Sequence, residues 1–473
     1  MASVDIAQTP VPVHITNNDT ADKVKVVPNP DTTLTSSPRD YEDSDAKIQS
    51  ARLMCFVEDE QALQDNGELL DHSANSEPNN MAKHHGKSYA AAVKSGGIEE
   101  DEKITNGNYV PYPNLTSELK REAHEREAWR AGGIRFAPLR VPFKRRMQTA
   151  AVLFHCMSIV VLVSCFWFTC ANPLTWPILV PYLIHLSFSN AAMDGKLAYR
   201  SEWLRSLPLW RLFAGYFPAK LHKTFDLPPN RKYIFGYHPH GIISHGAWCA
   251  FATNALGFSE KFPGITNSLL TLDSNFRLPF YRDWILAMGI RSVSKESIRN
   301  TLSKGGSNKD GQGRAVTIVI GGARESLQAQ PGTLRLILKG RKGFVKMALR
   351  SGADLVPVIG FGENDLYDQL SPKTHPMVHK IQMIILKVFK FTIPALHGRG
   401  LLNYDVGLMP YRRAVNIVVG RPIEINEPLE DQPSQDTIDK YHELYVEEVE
   451  RLYDAYKDKF SNFNTVPELR IIS

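Results

Sequence analysis

Residues 147–193 contain no Asp, Glu, Lys or Arg, an uncharged run of 47 residues that dictates much of what this chain can be. About 20 apolar residues suffice to cross a bilayer, so the run has room for two membrane segments. The spacing predicts them at residues 148–171 and 174–193, with Asn172-Pro173 as the turn between them and Pro177 and Pro181 kinking the second. Basic residues stand at both ends, Lys144-Arg145-Arg146 before and Lys196, Arg200 and Arg205 after. Positive flanks favour the cytoplasmic side, so a hairpin with both ends in the cytosol is expected over a single span. The run begins far from the N-terminus and does not read as a secretory signal.

Composition divides the rest. Residues 1–110 are rich in Asp, Asn, Ser, Thr and Pro and cannot bury enough surface to offset ordering entropy, so a disordered tail is expected there. Gly86-Lys87-Ser88 looks like the end of a phosphate-binding loop, but Met81 stands where its first glycine should be. Residues 111–146 form a charged juxtamembrane segment, with 118–130 helical, and residues 194–473 form the remaining domain. The five cysteines show no even framework and three lie in the apolar run, which suits a domain facing the reducing cytosol. The formal charge of +5 comes with no nucleic-acid motif, and no nucleic-acid partner is expected.

Beyond residue 230, short apolar runs alternate with helical stretches, the pattern of an α/β domain with a mainly parallel or mixed sheet. Strands are expected at 233–237, 316–320 and 354–359, a helix at 342–351 ended by Gly352, an interfacial amphipathic helix at 380–392 and a packing helix at 438–460. The first strand is stopped by Pro239 and Gly241, which sets His238 and His240 at a strand end, where scaffolds tend to hold working side chains. Imidazole is the side chain suited to take a proton near neutral pH. A structural histidine is the plainer alternative, and a metal site the next. No Cys or nearby Asp supplies a further ligand at zinc spacing, so no metal is expected.

The chain resembles the type 2 diacylglycerol acyltransferase family, which includes monoacylglycerol acyltransferases and wax-ester synthases. The motifs run in order: Tyr216-Phe217-Pro218, His238-Pro239-His240-Gly241, Asn275-Phe276-Arg277-Leu278-Pro279 with Arg282-Asp283, and Gly321-Gly322-Ala323-Arg324-Glu325. After them come Arg341-Lys342-Gly343-Phe344, Val356-Pro357-Val358, Phe361-Gly362-Glu363, Gly398-Arg399-Gly400, Pro410-Tyr411-Arg412-Arg413 and Val418-Val419-Gly420-Arg421-Pro422-Ile423. The likeness covers about residues 145–460.

That resemblance implies a glycerol-phosphate acyltransferase-like α/β fold carrying the membrane hairpin and the tail. It implies attack by a diacylglycerol hydroxyl on the thioester of acyl-CoA, with His240 as the first choice of general base and His238 as the reserve. Related acyltransferases place an orienting Asp five positions after the catalytic His; here those positions hold His245 and Ile243, so the carboxylate must come from elsewhere. Glu325, after a strand and a glycine turn, is the candidate, with a helix-capping role as its alternative. Backbone N–H groups at Gly241 and Ile242 or at Gly322 are candidate oxyanion donors. Arg341 and Lys342, with Lys339, Lys346 and Arg350 near, suit the phosphates of coenzyme A. Acyl-CoA is then a substrate and no cofactor is implied. The expected partners are acyl-CoA, diacylglycerol and membrane lipids, with homo-oligomerisation left open. The expected location is the endoplasmic reticulum membrane, multi-pass with a cytosolic catalytic domain, or lipid droplets. Monoacylglycerol or a long-chain alcohol is the rival acceptor. A non-catalytic lipid-droplet or membrane scaffold that keeps the fold is the alternative of another class, and its mark would be loss of the His or Glu of the signature.

Overall fold

The computed structural model describes residues 129–473 apart from 132, 139, 306–309, 371–374, 390–393 and 461–466. The expected tail, the loop at residues 86–88 and residues 118–128 of the charged segment lie outside the described residues. The end of that segment departs from the helical expectation: Trp129–Ala131 pairs antiparallel with Ile134–Phe136. Gly133, at φ 81°, supplies the left-handed turn that closes this hairpin.

Seven strands form the central sheet: β1 (Lys220–Lys223), β2 (Tyr233–His238), β3 (Thr266–Thr271), β4 (Arg291–Ser292), β5 (Arg314–Val319), β6 (Asp354–Phe361) and β7 (Asn416–Val419), in the order β1-β7-β6-β2-β5-β3-β4. Every neighbouring pair is parallel except β7 with β6. In the two most central strands, β2 and β6, every residue is buried. Both read as runs without polar alternation, as strands covered on two faces must. One face carries an aliphatic cluster with Ile234, Leu355 and Val418, covered by α4 (Gly343–Ser351) and α6 (Gln435–Phe460), between which in the chain comes α5 (Pro376–Phe389). Gly352, at φ 58°, ends α4 as expected. The other face carries an aromatic cluster built on Phe235, Tyr237, Phe251, Trp210 and Phe213. Because β2 and β5 are parallel neighbours, their carboxyl ends bring His238-Pro239-His240 and Gly321-Gly322 to one edge of the sheet, where open α/β sheets hold their ligands.

The uncharged run folds into α1 (Phe143–Ala171) and α2 (Trp176–Phe188), joined by a tight turn in which Asn172 Oδ1 accepts the Leu174 N–H at 3.1 Å. By its 29 residues, α1 is roughly 44 Å long, enough to cross a bilayer. It is the one helix among the described residues that is both long and apolar enough to do so. Its outer surface is apolar and bare, with Val161 57 % and Phe168 74 % exposed. The second segment is shorter than the expected 174–193. At 13 residues α2 reaches roughly 20 Å, less than a full hydrocarbon core. Residues 190–193 turn back into the domain: Ala191 and Ala192 are buried, and their carbonyls accept from Arg291 Nη1 at 2.6 Å and from the Ser292 N–H at 3.2 Å. A run free of charge cannot reveal which of its residues stay exposed and which pack against the rest of the chain.

Candidate active site

The turn after β2 separates the two histidines. His238 closes the strand fully buried, its Nε2 3.0 Å from the Tyr445 hydroxyl on α6. That hydroxyl donates its one hydrogen to the Gly236 carbonyl at 3.1 Å, so His238 Nε2 must be the donor to it. The lone pair of His238 then sits on Nδ1, which is enclosed and has no hydrogen-bond partner. Burial lowers the pKa of this ring to about 3 and keeps it neutral. Gly236 is required here, since a Cβ on it would overlap the Tyr445 hydroxyl.

His240 is only half-buried and lines a cavity of about 780 Å³. Its Nδ1 lies 3.1 Å from the Gly241 carbonyl, which can only accept, so Nδ1 carries the hydrogen and Nε2 the lone pair. Burial lowers this pKa as well, leaving the ring neutral and basic at neutral pH.

Two buried carboxylates hold the turn from either side. Glu325, on the short helix α3 (Gly322–Ser326), accepts the His240 backbone N–H at 2.6 Å through Oε1 and the Ile337 N–H at 2.8 Å through Oε2. Neither oxygen meets an imidazole, so the expected carboxylate–ring contact is replaced by a carboxylate–backbone one. The helix-capping alternative fails too, because both donors come from other segments. Glu363 accepts the Tyr237 hydroxyl at 2.7 Å and the Gly246 N–H at 2.8 Å, both through Oε2. Gly241, at φ 59°, packs so closely that a Cβ would stand 2.6 Å from Glu363 Cγ. Burial raises both carboxyls to about 7 against the hydrogen bonds that favour the charged form.

The cavity is apolar along most of its wall, with Leu269, Ile285, Ile298, Ile318 and Phe344. His155 and Trp248 carry it to α1, their rings 4.3 Å apart between centroids. Ile242, Gly321 and Gly322 line it beside His240, so two of the three candidate oxyanion donors stand on its wall. Gly322, Gly340 and Gly343 line it too, and each has open space where a Cβ would stand. Of the two cations expected at coenzyme A phosphates, Arg341 is on the wall, with Nη2 3.3 Å from the Gly321 carbonyl. Lys342 is not among the lining residues and instead pairs with Asp439 of α6 at 2.7 Å. Lys295, which sequence reasoning passed over, lines the cavity as well. Among the described residues no group of His, Cys, Asp and Glu has the geometry of a metal site.

A model of the diacylglycerol acyltransferase family matches residues 168–470, which is more than half the chain. The chain belongs to the diacylglycerol acyltransferase family. It is 47 % identical over 340 residues to diacylglycerol O-acyltransferase 2A of Umbelopsis ramanniana, covering 72 % of this chain and 94 % of that one. Diacylglycerol O-acyltransferase 2 of Dictyostelium discoideum is 42 % identical over 70 % of this chain and 98 % of its own length. The 2-acylglycerol O-acyltransferase 1 of Bos taurus is 40 % identical over 69 % and 96 %. Among solved structures, the 1-acyl-sn-glycerophosphate acyltransferase PlsC of Thermotoga maritima aligns with a TM-score of 0.29 at 12 % identity, over 63 % of this chain and 97 % of that one.

Several motifs of this acyltransferase act in places no spacing could reveal. Arg282-Asp283 anchors α2: Arg282 Nη2 donates to Ser189 Oγ at 2.9 Å, and Asp283 Oδ2 accepts the Tyr182 hydroxyl at 2.5 Å. Phe217 stacks on His245, with ring centroids 5.1 Å apart, behind the histidine turn. Glu363 stood in a quoted motif without a role, and its partnership with Gly246 spans 117 positions.

Proposed function

We propose that this member of the diacylglycerol acyltransferase family transfers the acyl group of acyl-CoA to the free hydroxyl of diacylglycerol, with His240 as general base. The carrying observation is that His240 presents a neutral imidazole, tautomer fixed by the Gly241 carbonyl, to a large apolar cavity that reaches the membrane helix α1. The hydroxyl oxygen attacks the thioester carbon while its proton passes to Nε2, a positioned base contributing roughly 10²–10⁴-fold. The oxyanion is met by backbone N–H groups of the Ile242 and Gly322 turns. As the C–S bond breaks, the imidazolium returns the proton to the departing sulfur of coenzyme A. His238 is a structural member of this site, because its lone pair is enclosed. Arg341 and Lys295 at the cavity wall receive phosphates of coenzyme A, with Lys342 held aside by Asp439.

The hairpin on this reading is re-entrant. α1 enters the leaflet and the shorter α2 returns to the side it left, tied down by Asp283 and Arg282, so the catalytic domain and residue 129 share the cytosolic face. The endoplasmic reticulum membrane and the surface of lipid droplets are the places where such an anchor and such a product meet. The bovine relative named for 2-acylglycerol acylation supports monoacylglycerol as a second acceptor for the same cavity.

The deciding assay uses microsomes from cells without other neutral-lipid acyltransferases, labelled acyl-CoA, and diacylglycerol, monoacylglycerol and long-chain alcohol as alternative acceptors. Triacylglycerol should be the dominant product; wax ester or diacylglycerol in its place would reassign the acceptor.

A further inference from the structure

Trp248 opens a π-helical turn, Trp248–Ala252, in which every residue is buried. Such turns are rare and recur at functional sites. Arg205, itself fully buried, pins this one: its Nη1 donates to the Ala252 carbonyl at 2.6 Å and to the Met288 carbonyl at 2.7 Å. The Trp248 ring packs against two others, 4.3 Å from His155 and 5.6 Å from Trp210 between centroids. Trp210 gives its indole N–H to the Leu204 carbonyl at 2.7 Å. Trp248 is 8 % exposed and lines the cavity at His240, and its Nε1 meets no acceptor. Buried indole N–H groups ordinarily find one, because an unsatisfied donor costs its full desolvation. The enclosed Nδ1 of His155, another residue of this wall, has no partner either.

An indole nitrogen only donates, so the group that completes Trp248 must be an acceptor. Its place narrows the choice. His155 comes after Phe143, the first residue of α1, by about 18 Å of helix, so this end of the cavity adjoins the apolar anchor well inside its length. With α1 entering the leaflet, what reaches this wall arrives from lipid. In the acyl transfer proposed at His240, the thioester oxygen is met by backbone N–H groups and the attacking hydroxyl by Nε2. On a glyceride arriving from the membrane, the strong acceptors left over are its ester carbonyls.

We propose that Trp248, with His155 beside it, forms a notch that binds an ester carbonyl of the acyl acceptor, an inference that rests on the acyl transfer read at His240 and says how its acceptor is held. The notch separates glycerol esters from long-chain alcohols, which carry no carbonyl. The test gives the full chain in phosphatidylcholine nanodiscs labelled acyl-CoA and one of two acceptors of matched chain length. One is 1,2-diacylglycerol; the other is 1,2-dialkylglycerol, whose ether oxygens are poor acceptors. The parent should use the diester with a kcat/KM roughly tenfold above that for the diether, about the worth of one hydrogen bond. Trp248→Phe keeps an aromatic ring and loses the donor, and should bring the two values within about twofold by lowering the diester alone. His155→Phe should shrink the ratio in the same direction, and it carries the test should Trp248→Phe fail to fold. A ratio near one in the parent overturns the proposal, as does a preference that both variants keep. Equal loss on both acceptors overturns it too and marks a packing role; with a raised KM for acyl-CoA, it moves the N–H to the thioester substrate. A parent that acylates neither acceptor removes the reading at His240 itself, and this proposal with it.

Discussion

Glu325 and His240 meet through the backbone: Oε1 of the carboxylate accepts the His240 N–H at 2.6 Å, while the His240 ring turns its Nδ1 to the Gly241 carbonyl at 3.1 Å. The carboxylate therefore fixes where the turn lies, and a peptide carbonyl fixes which nitrogen is basic. Glu325→Gln offers one acceptor and one NH₂ group where two N–H donors converge. It should cost about 1–3 kcal/mol of stability and lower kcat about tenfold or more. The apparent pKa of the base in the pH–rate profile should stay where it is. A clear shift of that pKa with stability intact would place the carboxylate on the ring after all.

The two histidines should separate cleanly. His240→Ala should leave a folded, membrane-bound protein whose triacylglycerol formation is down by about two orders of magnitude or more. His238→Ala should instead lower the melting temperature, by removing a fully buried ring and the partner of Tyr445, at a cost of about 1–3 kcal/mol. Equal catalytic loss in two equally stable variants would refute the division.

Stability should fall as pH rises. The Glu363 carboxyl has a folded pKa of about 7 against 4.5 ordinarily, so between those values the unfolded chain gives up its proton first. The folded state holds more protons in that window, and the stability contributed by the neutral acid is lost from about pH 4.5 to about pH 7, with no further change above. Glu325 adds the same sign. Because Tyr237 and Gly246 both donate to Oε2, the single carbonyl of Gln can take both bonds. Melting curves of Glu363→Gln should therefore show a flatter pH dependence than the parent.

Arg341→Gln and Lys295→Gln should each raise the KM for acyl-CoA several-fold at moderate salt, and less at high salt. Lys342→Gln should change it by less than about twofold, because that ammonium is engaged with Asp439. Initial rates over an acyl-CoA series in the three variants provide the check.

Glycosylation acceptor sites placed near residue 100 and near residue 470 should both remain unmodified in intact microsomes. Modification at one of them alone would make α1 a single crossing and remove the re-entrant hairpin.

The strand ends were legible because their signal is local. An apolar run halted by Pro239 and Gly241, or by Gly321 and Gly322, announces a carboxyl edge without reference to any other part of the chain. The helices at 342–351 and 438–460 were legible for the same reason, being amphipathic and bounded by Gly352 or by charge. What stayed hidden was pairing across distance. Nothing near His238 announces Tyr445, 207 positions away, and nothing near Lys342 announces Asp439. The uncharged run hid a boundary: an exposed Ile178 and a buried Ala191 look equally apolar in sequence. His155 was hidden in the same run, since periodicity gives no sign that α1 contributes a ring to the cavity beside the histidine turn.

The bare glycines on the cavity wall make its capacity a heritable dial. At Gly340 and Gly343 a methyl group has room to stand without displacing anything. With a fatty chain in the cavity, as the proposed reaction requires, each such replacement would shorten the space left for it by about one methylene while leaving the histidine turn untouched. On the proposed reaction, single-codon changes at these two glycines would thus retune the chain the cavity accepts before any residue at the histidine turn has to alter.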